Sequence, residues 1–74
     1  MTIQEATKKS VEGGWNPLNS PQWQHGFLDP LYWQCLGKTL GWGNDGNSVW
    51  LYYQHRFIDH LAEGKSIESY FETL

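Results

Sequence analysis

The strongest structural signal in this sequence is the pair Asp29-Pro30. Aspartate is a favoured helix N-cap, and proline is favoured at the first helical position because that position needs no backbone N–H donor. Leu28 and Trp33 flank the cap at the spacing of a hydrophobic staple. The pair therefore predicts a helix that ends at Gly41. Its apolar face holds Tyr32, Trp33, Leu36 and Leu40.

A capping box predicts another helix near the start of the sequence. Thr2 and Glu5 are three residues apart, so that each side chain can accept from the other residue's backbone N–H. Gly13-Gly14 is a typical helix end. The opposite charges of Glu5 and Lys9, four residues apart, support the same helix.

A long third helix is predicted from Val49 to Glu63, with Asn47 or Ser48 as its cap and Gly64 as its end. Its predicted apolar face holds Trp50, Tyr53, Phe57, Ile58 and Leu61, and its opposite face holds Tyr52, His55, Arg56, Asp59 and Glu63.

Ser66 is the predicted cap of a short last helix. No segment alternates apolar and polar residues as a strand would. The sequence therefore predicts an all-α fold: one domain, residues 1–74, formed by a small bundle of three main helices and a short C-terminal helix.

Two loops carry the remaining tryptophans. The segment 15–28 is rich in turn-forming residues and contains Trp15 and Trp23, so we expect an ordered loop that its indoles hold against the helices. The segment 42–48 is a polar loop that contains Trp42. Helical periodicity assigns none of these three indoles to the core, so core packing, a protein interface and stacking against a ligand all remain open for them.

The aromatic content is high for so small a domain. Five Trp, four Tyr and three Phe occur in 74 residues, and a body of this size has little interior in which to hide them. We therefore expect exposed aromatic surface and a homo-oligomer, with a dimer favoured because closed symmetric pairing covers such surface.

Charge and cysteine content exclude several classes. The net charge of −3 and the pI near 5.4 argue against a nucleic-acid or anionic-membrane binder. Cys35 is alone, so it forms no internal disulfide and fits a cytoplasmic protein. No signal peptide or membrane span is predicted.

Three motifs that suggest chemistry have simpler interpretations. Gly37-Lys38-Thr39 lacks the earlier glycine of a phosphate loop, and Gly37 instead predicts close approach of another backbone. Cys35 has no neighbouring base and is expected to be a buried, small hydrophobic residue. The remaining motif is the polar cluster on the third helix: His55, Arg56, Asp59 and His60.

That cluster is best interpreted as a solvated helix face. His55 and Asp59 share a face, whereas the two imidazoles diverge by more than a quarter turn, which is unsuited to a metal. A hydrolase built on His55 and Asp59 is the weakest functional alternative, because so short a chain has little room for a shaped cleft. We therefore predict no catalytic residue, no metal site and no cofactor.

Elimination then selects a binding surface. Residues assigned to packing are expected to affect stability only, which leaves solvent-facing residues of the types enriched among energetic anchors. Replacing Trp42 or Arg56 by alanine is expected to keep the helices and to weaken partner binding at least tenfold, about 1.4 kcal/mol. The predicted binding residues are Trp42, Lys38, Tyr52 and Arg56.

The segment from Asp29 to Trp42, followed by Trp50 and the run from His55 to Lys65, resembles a group of short uncharacterised proteins from bacteria, phages and metagenomes. Their shared feature is a W-Q-x-L-G-K-x-L-G-W helix followed by an aromatic helix, and the likeness covers about half of the chain. The resemblance implies an accessory gene product of phage type, without any activity or catalytic residue that could be transferred.

The sequence thus favours a non-enzymatic interaction protein that binds, and thereby inhibits, a host protein. The alternative is a protein that binds or sequesters a small nucleotide-like signal, with Trp or Tyr stacking on the base and Lys38 or Arg56 holding phosphate.

Overall fold

A computed structural model describes residues 1–19, 28–42 and 47–74. The helices are α1 (Ile3–Glu12), α2 (Pro30–Leu40), α3 (Asn47–Ala62) and α4 (Ile67–Phe71), and a 3₁₀ turn covers Pro17–Asn19. The described ranges contain no strand. The predicted all-α fold with three main helices and a short fourth one is confirmed.

The predicted starts of α1 and α4 are confirmed by their hydrogen bonds. The Glu5 amide donates to Thr2 Oγ1 at 3.1 Å, and the Thr2 amide donates to the Glu5 carboxylate at 2.9 Å, which completes the capping box. Ser66 caps α4 by accepting from the Ser69 amide. Gly41 ends α2 with φ of 75°, in the left-handed region that favours glycine.

Helix α3 starts two residues before the predicted Val49 and ends one residue before Glu63. The choice between the side chains of Asn47 and Ser48 as its cap lies outside the described part of the chain, as does the segment 43–46 of the predicted polar loop.

The core is built around the Trp33 side chain, which is fully buried. Phe57 of α3 lies 5.3 Å from it between ring centroids, and Phe71 of α4 stacks on it at 5.7 Å. Tyr32 and Tyr70 approach it edge-on at 5.7 and 6.1 Å. Edge-on and offset contacts are the favoured aromatic geometries, so one indole joins three helices.

Helices α1 and α2 pack so closely that side chains of one form hydrogen bonds to the backbone of the other. The Ser10 hydroxyl, fully buried, donates to the Tyr32 carbonyl at 2.9 Å, and the Thr39 hydroxyl donates to the Lys9 carbonyl at 2.7 Å. A Cβ at position 13 would overlap the Cys35 carbonyl oxygen, so only glycine permits this approach. Cys35 itself is buried, as predicted.

Trp15 belongs to the core and joins α1 to the start of α2. Its side chain is only 4% exposed and meets Tyr32 edge-on at 5.1 Å. Its indole N–H donates to Asp29 Oδ2 at 3.1 Å, while the Leu31 amide donates to Asp29 Oδ1 at 3.0 Å. Asp29 therefore caps α2 and also accepts a hydrogen bond from Trp15, which follows α1. Trp23 lies outside the described residues.

Two apolar side chains differ from expectation. Ile58, predicted on the apolar face of α3, is 44% exposed, because the core covers only the arc of α3 around Phe57. Leu28, predicted to pack on Trp33 as a staple, is about half exposed and is not among the residues that pack against the core.

The double role of Asp29 gives a prediction for stability. Asp29→Ala removes the cap of α2 and leaves the buried Trp15 N–H without its acceptor, so we expect a loss of roughly 2–4 kcal/mol in the free energy of unfolding. Thr2→Ala removes an exposed cap alone and should cost about 1 kcal/mol. Urea denaturation of both variants measures the difference, and equal losses would contradict the double role.

Buried tyrosines make stability depend on alkaline pH. Burial raises the pKa of Tyr32 and of Tyr70 to about 12, whereas an unfolded tyrosine ionises near pH 10. Above pH 10 the unfolded chain loses these protons first, so the contribution of the two tyrosines to stability is constant below pH 10 and falls as pH rises toward 12. Urea midpoints across this range test this. Tyr70→Phe should reduce the slope, and an unchanged slope would contradict the assignment.

Candidate functional site

Trp42 follows the left-handed Gly41 and lies back over α2. Its amide donates to the Gly37 carbonyl at 3.0 Å, and a Cβ at position 37 would come within 2.8 Å of its ring atom Cε3. The indole is half-buried and packs against the core. The expectation that Trp42 faces solvent is therefore wrong. Gly37 does permit a close approach, but by this indole rather than by another backbone.

Trp42 is the first member of a connected row of side chains. Its ring stacks on Tyr53 with centroids 4.0 Å apart and planes 16° from parallel. Tyr53 meets Tyr52 edge-on at 5.5 Å. The Arg56 guanidinium carbon lies 5.8 Å from the centre of the Tyr52 ring, within cation–π distance. We call these four residues the aromatic ladder: Trp42, Tyr53, Tyr52 and Arg56.

The ladder runs from the core to solvent. Tyr53 is half-buried, and its carbonyl accepts from the buried Tyr70 hydroxyl at 2.8 Å, which ties the ladder to α4. Tyr52 is 56% exposed and Arg56 is exposed. Tyr53 therefore supports the Tyr52 ring, and Arg56 lies against the same exposed ring.

The structure brings three of the four predicted binding residues into this ladder, but not Lys38. Lys38 lies at a separate cleft of about 260 Å³ that Trp15, Asp29 and Cys35 also line. Successive residues of a helix point about 100° apart, so Lys38 diverges from Gly37, on which Trp42 packs. Tyr53 was predicted on the apolar face of α3 and not among the binding residues. Its position between Tyr52 and Trp42 depends on how α2 packs against α3. The spacing of apolar residues in the sequence does not indicate that packing.

The Lys38 cleft offers little chemistry. Burial raises the pKa of the Cys35 thiol, which keeps it protonated and weakly nucleophilic. Both carboxylate oxygens of Asp29 already accept hydrogen bonds. The Asp29 carboxylate is thus occupied in holding the fold.

His60 also has a structural role. Its Nε2 lies 2.7 Å from the Ser69 hydroxyl and 3.1 Å from the Ser66 carbonyl, and the Ser69 hydroxyl donates to that carbonyl at 2.8 Å. His60 Nε2 is therefore in contact with both polar groups at the start of α4. The imidazole therefore fastens the start of α4 to α3.

Arg56 is not part of an ion pair with the described residues, although its charge helps to lower the pKa of Glu63. The ion pair within the described ranges joins Lys65 to Glu63 at 2.8 Å, with both side chains well exposed. Arg56 contacts the Tyr52 ring but makes no ion pair there. Those ranges likewise contain no group of three or more His, Cys, Asp or Glu side chains placed to hold a metal.

No known protein family, curated protein or solved structure matches this chain. In the described part of the chain, none of the helices has both the length and the apolar character needed to cross a bilayer.

The contact of Trp42 with Gly37 predicts that the effect of Gly37→Ala on stability changes sign when the indole is removed. Gly37→Ala places a Cβ against the indole, and such overpacking costs about 1–3 kcal/mol, more than the roughly 1 kcal/mol that alanine contributes to a helix. In a Trp42→Ala background the obstacle is gone, so the same change should stabilise. Urea denaturation of the four proteins of this cycle tests it, and a destabilising Gly37→Ala in both backgrounds would contradict the contact.

Proposed function

We propose that this protein is a non-enzymatic interaction protein that binds another protein through the aromatic ladder. The observation that carries the proposal is the combination of exposure and ring contacts at Tyr52. More than half of its surface faces solvent, yet its ring is held by Tyr53 on one side and by Arg56 on another.

The energetics of interfaces support this proposal. Tyrosine and arginine are enriched among the few residues that contribute most binding energy. Ordering a flexible side chain on binding costs about 0.5–1.5 kcal/mol. Because contacts within the ladder already restrict Tyr52 and Arg56, much of that cost is met before a partner arrives.

The chemistry of the ladder indicates what its partner presents. A carboxylate would pair with the guanidinium of Arg56, which is free of an ion pair within the described residues. An apolar or aromatic side chain beside that carboxylate would cover the exposed face of Tyr52. The partner surface is therefore an apolar patch with an acidic residue at its edge.

The biological setting of this proposal comes from the resemblance to short bacterial and phage proteins. A phage-type accessory protein that binds a host protein, and so inhibits it, is the form of the proposal that agrees with that resemblance and with the ladder. A cytoplasmic location and the absence of nucleic-acid binding stay predictions from charge and cysteine content.

A nucleotide-like ligand is the second candidate, because Tyr52 could stack on a base and Arg56 could hold a phosphate. Two observations make it the weaker one. Lys38, the second predicted phosphate ligand, lies at the other cleft. Trp42 is committed to Tyr53 and Gly37, so its indole is not free to stack on a base.

The proposal predicts which variants lose the partner. Tyr52→Ala and Arg56→Ala should keep the helical spectrum and weaken partner binding at least tenfold, about 1.4 kcal/mol. Leu31→Ala and Lys38→Ala are the matched controls, because Leu31 is as exposed as Tyr52 and Lys38 carries the same charge as Arg56. Trp42→Ala, in contrast, should lower stability.

The measurement is affinity capture with quantitative mass spectrometry, followed by calorimetry with the captured protein. Retention of the partner by the two controls and its loss from the two ladder variants support the proposal. Wild-type affinity in Tyr52→Ala and Arg56→Ala would overturn it. A nucleotide released when the purified protein is denatured, together with no captured protein, would favour the second candidate.

A further inference from the structure

Helix α3 carries a second exposed surface that the aromatic ladder does not use. Four of its residues are separated by four, three and four positions, the spacing at which side chains form one seam along a helix. We call this surface the α3 seam: Leu51, His55, Ile58 and Ala62. All four are exposed, Leu51 to 40% and Ile58 to 44%.

The seam lies beside the core rather than in it. Phe57 and Gln54 of the same helix are buried, which shows that the covered arc of α3 ends next to Ile58. On that border the Gln54 amide lies 3.5 Å from the carbonyl of Leu28, another half-exposed apolar residue. This contact places the backbone of Leu28 beside the edge of the seam.

We propose that the α3 seam pairs with the α3 seam of a second copy of this chain, in antiparallel orientation about a twofold axis. The proposal goes beyond the proposed function and does not rest on it, because Tyr52 and Arg56 lie outside the seam. An isologous interface needs a surface that complements itself, and the order of residues in this seam provides one.

Antiparallel pairing centred between His55 and Ile58 places these two residues opposite each other across the axis. Leu51 then lies opposite Ala62, so that a large side chain meets a small one. The carboxylate of Asp59, the exposed neighbour of Ile58, comes next to the imidazole of His55 from the second copy. Parallel pairing would instead oppose His55 to His55 and Asp59 to Asp59, with like groups together.

The size of the seam sets the strength of the dimer. Helix α3 has 16 residues, which is roughly 24 Å at about 1.5 Å per residue. The seam has four residues per copy, far fewer than the roughly 20–30 residues a side of a standard stable interface. We therefore expect a monomer–dimer equilibrium that is visible at micromolar to millimolar concentration.

Sedimentation equilibrium of the full chain tests the pairing. Ile58→Glu places a charge in the middle of the seam and should lower the association constant at least tenfold. Leu31→Glu is the matched control, since it introduces the same charge at an apolar residue of α2 that is even more exposed, and it should leave association unchanged. His55→Leu should raise the association constant at least tenfold, because an apolar side chain replaces an imidazole within the seam.

Charge exchange tests the orientation. His55→Asp opposes two carboxylates across an antiparallel interface and should weaken association at least tenfold, while the exchange His55→Asp with Asp59→His should restore it. Circular dichroism of each variant confirms that it folds.

A wild-type chain that stays monomeric up to millimolar concentration would overturn the proposal. Equal loss of association in Ile58→Glu and Leu31→Glu, or no gain in His55→Leu, would overturn it as well. Failure of the exchange variant to recover association would overturn the antiparallel arrangement.

Discussion

Burial of the Trp33 indole is the interaction on which the rest of this structure depends. A chain of 74 residues buries a smaller fraction of its surface than larger domains do, so each core residue must contribute a large area. Trp33 provides one ring that helix α2 shares with Phe57 of α3 and Phe71 of α4. Helix α1 joins through hydrogen bonds to α2 and through Ala6, which is fully buried in the same core cluster as Trp33.

Local signals in the sequence predicted the helices well, because caps and stops depend on residues a few positions apart. Thr2 with Glu5, Asp29 and Ser66 all cap as predicted. The same local signals could not predict where the indoles of the loops lie. Trp15 packs on Tyr32 in the core, and a carboxylate fourteen residues later accepts from its buried N–H. No periodic pattern in the sequence indicates such distant partners.

Part of the candidate site could be predicted because some of its residues are close in sequence. Tyr52 and Arg56 are one helical turn apart, so their proximity follows from local geometry. Trp42 joins them only because Gly41 reverses the chain and sets the indole on Gly37, beside Tyr53. That reversal also separates Trp42 from Lys38, although the two are close in sequence. Ile58 was assigned inward because a helical wheel shows which side chains are apolar, but not how much of that arc the neighbouring helices cover.

The contact between Gly37 and Trp42 has a consequence for how such a chain can evolve. Any side chain at position 37 would enter the space of the indole, so the two positions cannot drift independently. A lineage that gains a side chain at 37 must first replace Trp42 by a smaller residue, and the reverse path must first restore the glycine. The order of substitutions is therefore constrained by epistasis, and among descendants of this chain a side chain at 37 should occur only together with a residue smaller than tryptophan at 42.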